Sequence, residues 1–123
     1  GLGDVYKRQA QQFRLTEAQL RDSIRGRSIA SPHVLEMTRA ARARGLTVDI
    51  LDERGCAPSP AVMEATARQL AEIIAQARTG IITVRALPEG DPTAVFIVHD
   101  SENPDDDPVA VEIADGTGTV SVF

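Results

Sequence analysis

The chain has 123 residues, 42% of them hydrophobic, which fits one globular domain with a modest core. With three Phe, one Tyr and no Trp, that core must be built from aliphatic side chains. The net charge of −5 argues against a dedicated nucleic-acid-binding protein, and a single cysteine, Cys56, excludes an internal disulfide. No stretch approaches the roughly 18 apolar residues of a membrane span, so we expect a soluble, cytoplasmic protein with no membrane segment.

The charge is divided unevenly along the chain. Residues 1–45 carry nine Lys and Arg against four Asp and Glu, and residues 46–123 carry four against fourteen. The segment GDVYKRQ at residues 3–9 resembles translated adapter sequence, so we exclude residues 1–9 from the fold. Residues 10–123 are treated as a single domain that begins with two helices.

The first predicted helix has clear start signals. Thr16 and Gln19 have the spacing of a capping box, and Leu15 and Leu20 are placed to form a hydrophobic staple. The helix is expected to run to about Arg25.

A second helix is predicted from Ser31 and Pro32, the N-cap residue and first helical position. Gly45 ends it. Residues 46–51, LTVDIL, then alternate apolar and polar side chains, as a strand with one covered face does. Ser59 and Pro60 repeat the cap arrangement and open the longest helix, which is expected to end near residue 78.

The remainder of the chain has the period of strands. Residues 81–86 and 93–98 predict one hairpin, and residues 109–113 and 119–123 predict a second after an acidic loop over residues 100–107. We expect the acidic loop to be hydrated, because charge runs usually are. The sequence therefore predicts an α+β fold, a two-layer sandwich in which helices pack on one face of a mixed five-stranded sheet.

This order of elements resembles the ATP-binding domain of sensor histidine kinases, in the GHKL superfamily. The resemblance lies in the strand LTVDIL, the helix SPAVMEATARQLAEIIAQA, the strands ITVRA and AVFIV, and the closing VEIADGTGTVSVF. It implies a histidine-kinase-ATPase-like domain over residues 10–123 and a role in bacterial-type two-component signal transduction.

The resemblance also implies where a nucleotide would bind. In the family the long helix carries a Glu that assists catalysis and, four residues later, an Asn that binds magnesium. Register from Gln76 and Ala77 places Arg68 and Glu72 at those positions. The family's Asp at the strand end, which accepts the adenine amino group, matches Asp100. Asp100 and Glu72 are therefore candidate vestigial nucleotide contacts.

Several residues depart from the family's catalytic pattern. Arg68 stays protonated and cannot act as a general base. Asp100 is followed by Ser, Glu, Asn and Pro where the family has glycines, and few residues remain for a phosphate-holding lid. We therefore expect no catalytic residue, no metal site and no cofactor, and a non-catalytic regulatory or protein-interaction module with an unidentified protein partner. Its oligomeric state is left open. One alternative is a weak binder of ATP and Mg²⁺ without turnover.

A second alternative is a DNA-binding or transcription-associated protein. The two N-terminal helices are rich in arginine and could form a helix-turn-helix, in which Arg39 and Arg42 would contact nucleic acid. They could equally be a helical pair that packs on the sheet. The acidic sequence that follows would repel phosphate, which argues against nucleic acid.

Overall fold

The computed structural model describes residues 29–123, so the predicted helix at Thr16 and the segment of residues 1–9 lie outside the described residues. Two helices and five strands follow one another. In chain order they are α1 (Pro32–Ala43), β1 (Thr47–Asp52), α2 (Pro60–Gln76), β2 (Ile81–Ala86), β3 (Thr93–Asp100), β4 (Val109–Ala114) and β5 (Val120–Val122).

Both helices begin where their cap signals predict. The Ser31 hydroxyl accepts a hydrogen bond from the Val34 amide at 3.2 Å, and the Ser59 hydroxyl accepts one from the Val62 amide at 3.3 Å. A proline follows each cap at the first helical position, where the missing amide proton costs no hydrogen bond. These local contacts fix the start of each helix.

The five strands form one mixed sheet in the order β1-β2-β3-β4-β5. β1 and β2 pair in parallel, with α2 as the crossover between them, and the other neighbours pair antiparallel. α1 packs on α2 and β1, and α2 packs on β3 and β4. The predicted α+β sandwich with helices on one face of a mixed sheet is confirmed.

The strands separate a covered face from an open face. The covered face lies under the helices and carries the buried side chains Val48, Ile50, Ile82, Val84, Ala86, Val95, Ile97, Val111 and Ile113. The open face carries the alternate residues of the same strands, including Leu51, Arg85, Phe96, Val98 and Glu112. The aliphatic core expected from the composition lies between the helices and the covered face.

Strand bounds differ from the sequence prediction by one or two residues at several ends. β1 begins one residue later, at Thr47, whereas β3 continues to Asp100 because that residue still pairs with Ile81 of β2. β5 covers only Val120–Val122, since its pairing with β4 spans three residues. The ends of strands depend on the partner strand, which local alternation does not show.

Neither of the two helices within residues 29–123 combines the length and apolar character needed to cross a membrane.

Candidate functional site

A cleft of about 190 Å³ opens between α2 and the last three strands. Its helix wall consists of Gln69, Glu72, Ile73 and Gln76, and its sheet wall consists of His99, Val109, Val111 and Val122. The spacing of the helix residues places them along one side of α2. The cleft is therefore a groove along the flank of the helix, apolar on the sheet side and polar on the helix side.

The position of the cleft follows from how α2 packs. Leu70, Ile73 and Ile74 are buried against the sheet, and they hold the helix axis over β3 and β4. Gln69 and Gln76 lie beside this buried stripe, at the edge of the contact. β5 pairs with β4 over three residues, and its Val122 lines the cleft.

His99 supplies the imidazole of the cleft. It follows Val95 and Ile97 at two-residue spacing on the covered face of β3, so its side chain lies under α2. Its Nε2 is 2.9 Å from the carbonyl oxygen of Thr79, in the segment that joins α2 to β2. This contact, which requires a proton on Nε2, holds the ring at the mouth of the cleft.

A second cavity of about 440 Å³ adjoins the cleft and shares Gln76 and His99 with it. Its other lining residues are Arg78, Thr79, Ser101, Asn103 and Asp106. One cation and one carboxylate are among them, so their charges offset each other. The lining is suited to hydrogen bonding rather than to holding a strongly charged group.

Hydrogen bonds shape the wall of this second cavity. The Ser101 hydroxyl donates to Asp106 Oδ2 at 3.0 Å and accepts from the Asn103 amide at 3.1 Å. The Thr79 hydroxyl lies 3.3 Å from that of Ser101 and accepts from the Glu102 amide at 3.2 Å. The acidic loop is thus fixed to the segment after α2 by its own polar side chains.

The two residues indicated by the histidine-kinase resemblance lie apart. Glu72 is exposed on α2 and lines the cleft. Asp100 is exposed at the end of β3, alternates with His99 onto the open face, and lines neither cavity. The strand therefore presents His99, and not Asp100, to the groove that contains Glu72. Simple alternation from Val95 could have identified His99.

These residues do not fit ATP with magnesium. Among residues 29–123, Glu72 is the only carboxylate that lines the cleft, and no Lys or Arg of this range lines it. A carboxylate repels phosphate, and phosphate binding depends on cations or on backbone amides aimed at the oxygens. Among residues 29–123, no cluster of three or more His, Cys, Asp or Glu side chains could hold a metal ion.

Arg39 and Arg42, the candidate nucleic-acid contacts, are engaged within the protein. Arg39 donates through Nε to Glu36 Oε2 at 3.1 Å, and this hydrogen bond lowers the pKa of Glu36. Arg42 donates through Nη2 to the Val48 carbonyl oxygen at 2.6 Å. It thereby occupies an acceptor on β1, an edge strand of the sheet. The Arg42 contact joins α1 to the sheet, whereas the Arg39 pair lies within α1 and is exposed.

A polar cluster that the sequence analysis did not predict lies just after the C-terminal end of β1. The Arg54 side chain is 8% exposed and donates through Nη2 to Asp115 Oδ1 at 3.2 Å, across 61 residues of sequence. Its Nε and Nη1 are buried and have no hydrogen-bond partner among residues 29–123. No local pattern in the sequence indicates such a long-range pair.

Cys56 lies beside this arginine. Its thiol donates to Glu89 Oε1 at 2.9 Å, and this hydrogen bond raises the pKa of the thiol, partly offset by Arg54. The thiolate is the reactive form of cysteine, so the raised pKa makes Cys56 a poor nucleophile at neutral pH.

No protein-family model, no curated protein and no solved structure matches this chain in the comparisons with known proteins.

Proposed function

We propose that this chain is a non-catalytic protein-interaction module, and that it serves regulation in a bacterial-type signalling system. The signalling context comes from the resemblance to the histidine-kinase ATP-binding domain. The interaction role is carried by one observation: large apolar side chains stay accessible on the open face, where Leu51 is 44% and Ile81 is 47% exposed. Exposed apolar surface of this kind is typical of protein-binding sites.

The chemistry of the cleft supports the non-catalytic part of the proposal. Phosphoryl transfer depends on positioning the phosphates and neutralising their charge. Glu72 faces the cleft, and in the adjacent cavity the cation Arg78 is offset by Asp106, so a triphosphate would meet no net positive charge from these lining residues. Within residues 29–123, no cation lines the cleft to neutralise the charge of a transferred phosphate.

Thermal unfolding with ATP and Mg²⁺ tests the non-catalytic part. A ligand raises the melting temperature only if it binds the folded state, so we expect no shift. A rise that Glu72→Ala or His99→Ala removes would instead establish the weak nucleotide binder. In the same experiment Arg68→Ala, on the outer side of α2, is the matched control.

Photo-cross-linking in the cells that the protein comes from tests the interaction role. A photoreactive amino acid at Thr83, on the open face, should give cross-linked protein products, whereas the same group at Arg68 should not. Thr83 lies between Asp49 and Val98 in the sheet register, close to the apolar side chains. Absence of products at both positions would overturn the interaction role.

The DNA alternative predicts a different result. Duplex binding through Arg39 and Arg42 would weaken steeply with salt, because contacts to phosphate release counterions. We expect no salt-dependent duplex binding, since both arginines already bond within the protein.

A further inference from the structure

One row of residues on the open face carries opposite charges on the two sides of the central strand, β3. One row of paired residues crosses all five strands in the order Leu51, Arg85, Phe96, Glu112 and Ser121. Phe96, on the central strand, is flanked by a cation on β2 and by a carboxylate on β4. Adjacent strands are about 4.8 Å apart, so the two charges lie at equal distances on either side of the aromatic ring.

When two copies of this row face each other, their charges are complementary for one particular two-fold rotation. A two-fold axis that runs parallel to β3, in the plane between two facing sheets, exchanges the β2 side with the β4 side. It places Arg85 of each copy over Glu112 of the other and brings the two Phe96 rings together. An axis along the row of residues would instead place like charges over each other. Within this row the charges therefore favour one isologous arrangement, although the same axis also places the exposed Asp100 of each copy, at the end of β3, opposite its counterpart.

We propose that the open face binds the open face of a second copy of this chain, with the two-fold axis parallel to β3. This inference rests on the proposed interaction role and names the partner. The two sheets would pack face to face at about 10 Å, as in β-sandwiches. Each copy would then have helices on one side of its sheet and the partner's sheet on the other.

The two charged residues are available for such contacts. Arg85 uses Nη2 for both carboxylate oxygens of Glu53, at 2.8 and 3.0 Å, and that pair does not involve its Nε and Nη1. The Glu112 carboxylate makes no hydrogen bond or ion pair with any side chain or backbone group among residues 29–123. An intermolecular pair can therefore form without breaking a bond in the monomer.

The apolar residues beside the row add contact area. Val98 and Ala110 lie in the next row along the same strands, between Thr83 and Phe123. Phe123 is 70% exposed. Five strands of about five residues give a face of roughly 400 Å² per copy, or about 800 Å² for the two copies, which is below the roughly 1,200 Å² of stable protein interfaces. The dimer is therefore expected to be weak and to form at high protein concentration.

Sedimentation equilibrium over a wide concentration range measures this association. Arg85→Glu and Glu112→Arg, made singly, place like charges opposite each other at two symmetric positions. We expect each to weaken dimerisation by at least about tenfold. The double variant Arg85→Glu with Glu112→Arg inverts both charges, keeps the row complementary to itself, and should restore the wild-type dissociation constant to within about threefold.

Matched controls separate this effect from net charge. Arg68→Glu and Glu64→Arg make the same charge changes on the outer side of α2, where both residues are exposed. They should leave association unchanged. Circular dichroism of every variant checks that the fold is kept, and Phe96→Gln provides a second variant at the centre of the face that should also reduce dimerisation.

The outcomes distinguish the second-copy inference from the proposed function. A wild-type chain that stays monomeric at the highest concentration overturns the inference. A double variant that dissociates as much as the single variants does the same. If cross-links at Thr83 then join the chain to a different protein, the interaction role stands and only the partner is wrong. If ATP with Mg²⁺ raises the melting temperature and Glu72→Ala removes that rise, the proposed non-catalytic role fails independently of dimerisation.

Discussion

Arg44 donates through Nη2 to the carbonyl oxygen of Ala77 at 2.6 Å, and so caps the C-terminus of α2 from the end of α1. Its Nη1 also donates to the Ile74 carbonyl oxygen at 3.1 Å. The last carbonyl groups of a helix have no partner within the helix, and a cation near them is favourable. One side chain thus joins two helices that are separated by a strand.

Arg44→Ala should therefore destabilise the protein by about 1–2 kcal/mol, because it removes hydrogen bonds from a charged donor. Arg39→Ala is the matched control, since within residues 29–123 Arg39 makes an exposed ion pair with Glu36, and its loss should destabilise the protein clearly less than Arg44→Ala does. Urea unfolding followed by circular dichroism measures both. Equal losses for the two variants would show that Arg44 does not cap α2.

Glycine is required at position 80 for steric reasons and at position 90 for its backbone conformation alone. Both have positive φ, +98° and +94°, but a Cβ on Gly80 would lie 2.0 Å from the Asp100 carbonyl oxygen whereas one on Gly90 would meet nothing within 4 Å. Gly80→Ala should cost more than about 3 kcal/mol, because the backbone must move. Gly90→Ala should cost about 1 kcal/mol for the left-handed conformation alone. Thermal unfolding of the two variants tests the difference.

The sequence predicted the elements well because their signals are local. Ser59 and Pro60 mark the start of α2 by their own chemistry, and alternation in β1 marks a strand with one covered face. The mixed sheet then follows from the order of the elements, since a helix between two strands makes them parallel and short turns make the others antiparallel.

The candidate site was harder to predict because it depends on long-range placement. The family resemblance indicated Asp100 as a nucleotide contact. The alternation of side chains along β3 instead places His99 in the groove beside Glu72. The sequence also did not indicate which groups the arginine side chains contact. Arg44 bonds to a carbonyl group 33 residues away, which a pattern of basic residues along one helix cannot indicate.

The two faces of β3 should respond differently to truncation. Ile97 is fully buried under α2, so Ile97→Ala should cost about 3–4 kcal/mol through lost burial and the cavity left behind. Its neighbour Val98 is only partly buried on the open face, and Val98→Ala should cost under about 1 kcal/mol in dilute protein. Urea unfolding at low concentration, where the proposed dimer is dissociated, measures both. A larger cost at Val98 would mean that the covered and open faces are assigned the wrong way round.

The pKa and the alkylation rate of Cys56 should depend on the neighbouring carboxylate of Glu89. The hydrogen bond to Glu89 raises the pKa of the thiol, so the thiolate forms only at higher pH than for an ordinary cysteine. Glu89→Gln removes the negative charge and leaves Arg54, which favours the thiolate. The pKa should fall, and alkylation by iodoacetamide at pH 8 should become faster. As Cys56 is the single cysteine of the chain, mass spectrometry of the intact protein gives the rate directly.

The matched control for this experiment is Glu53→Gln, which removes a carboxylate that pairs with Arg85 rather than with Cys56. Its alkylation rate should equal that of the wild type across the pH range. An unchanged rate in Glu89→Gln, or an equal acceleration in both variants, would show that the thiol is not held by Glu89. A profile that moves to lower pH only in Glu89→Gln establishes that the Glu89 carboxylate raises the pKa of the Cys56 thiol.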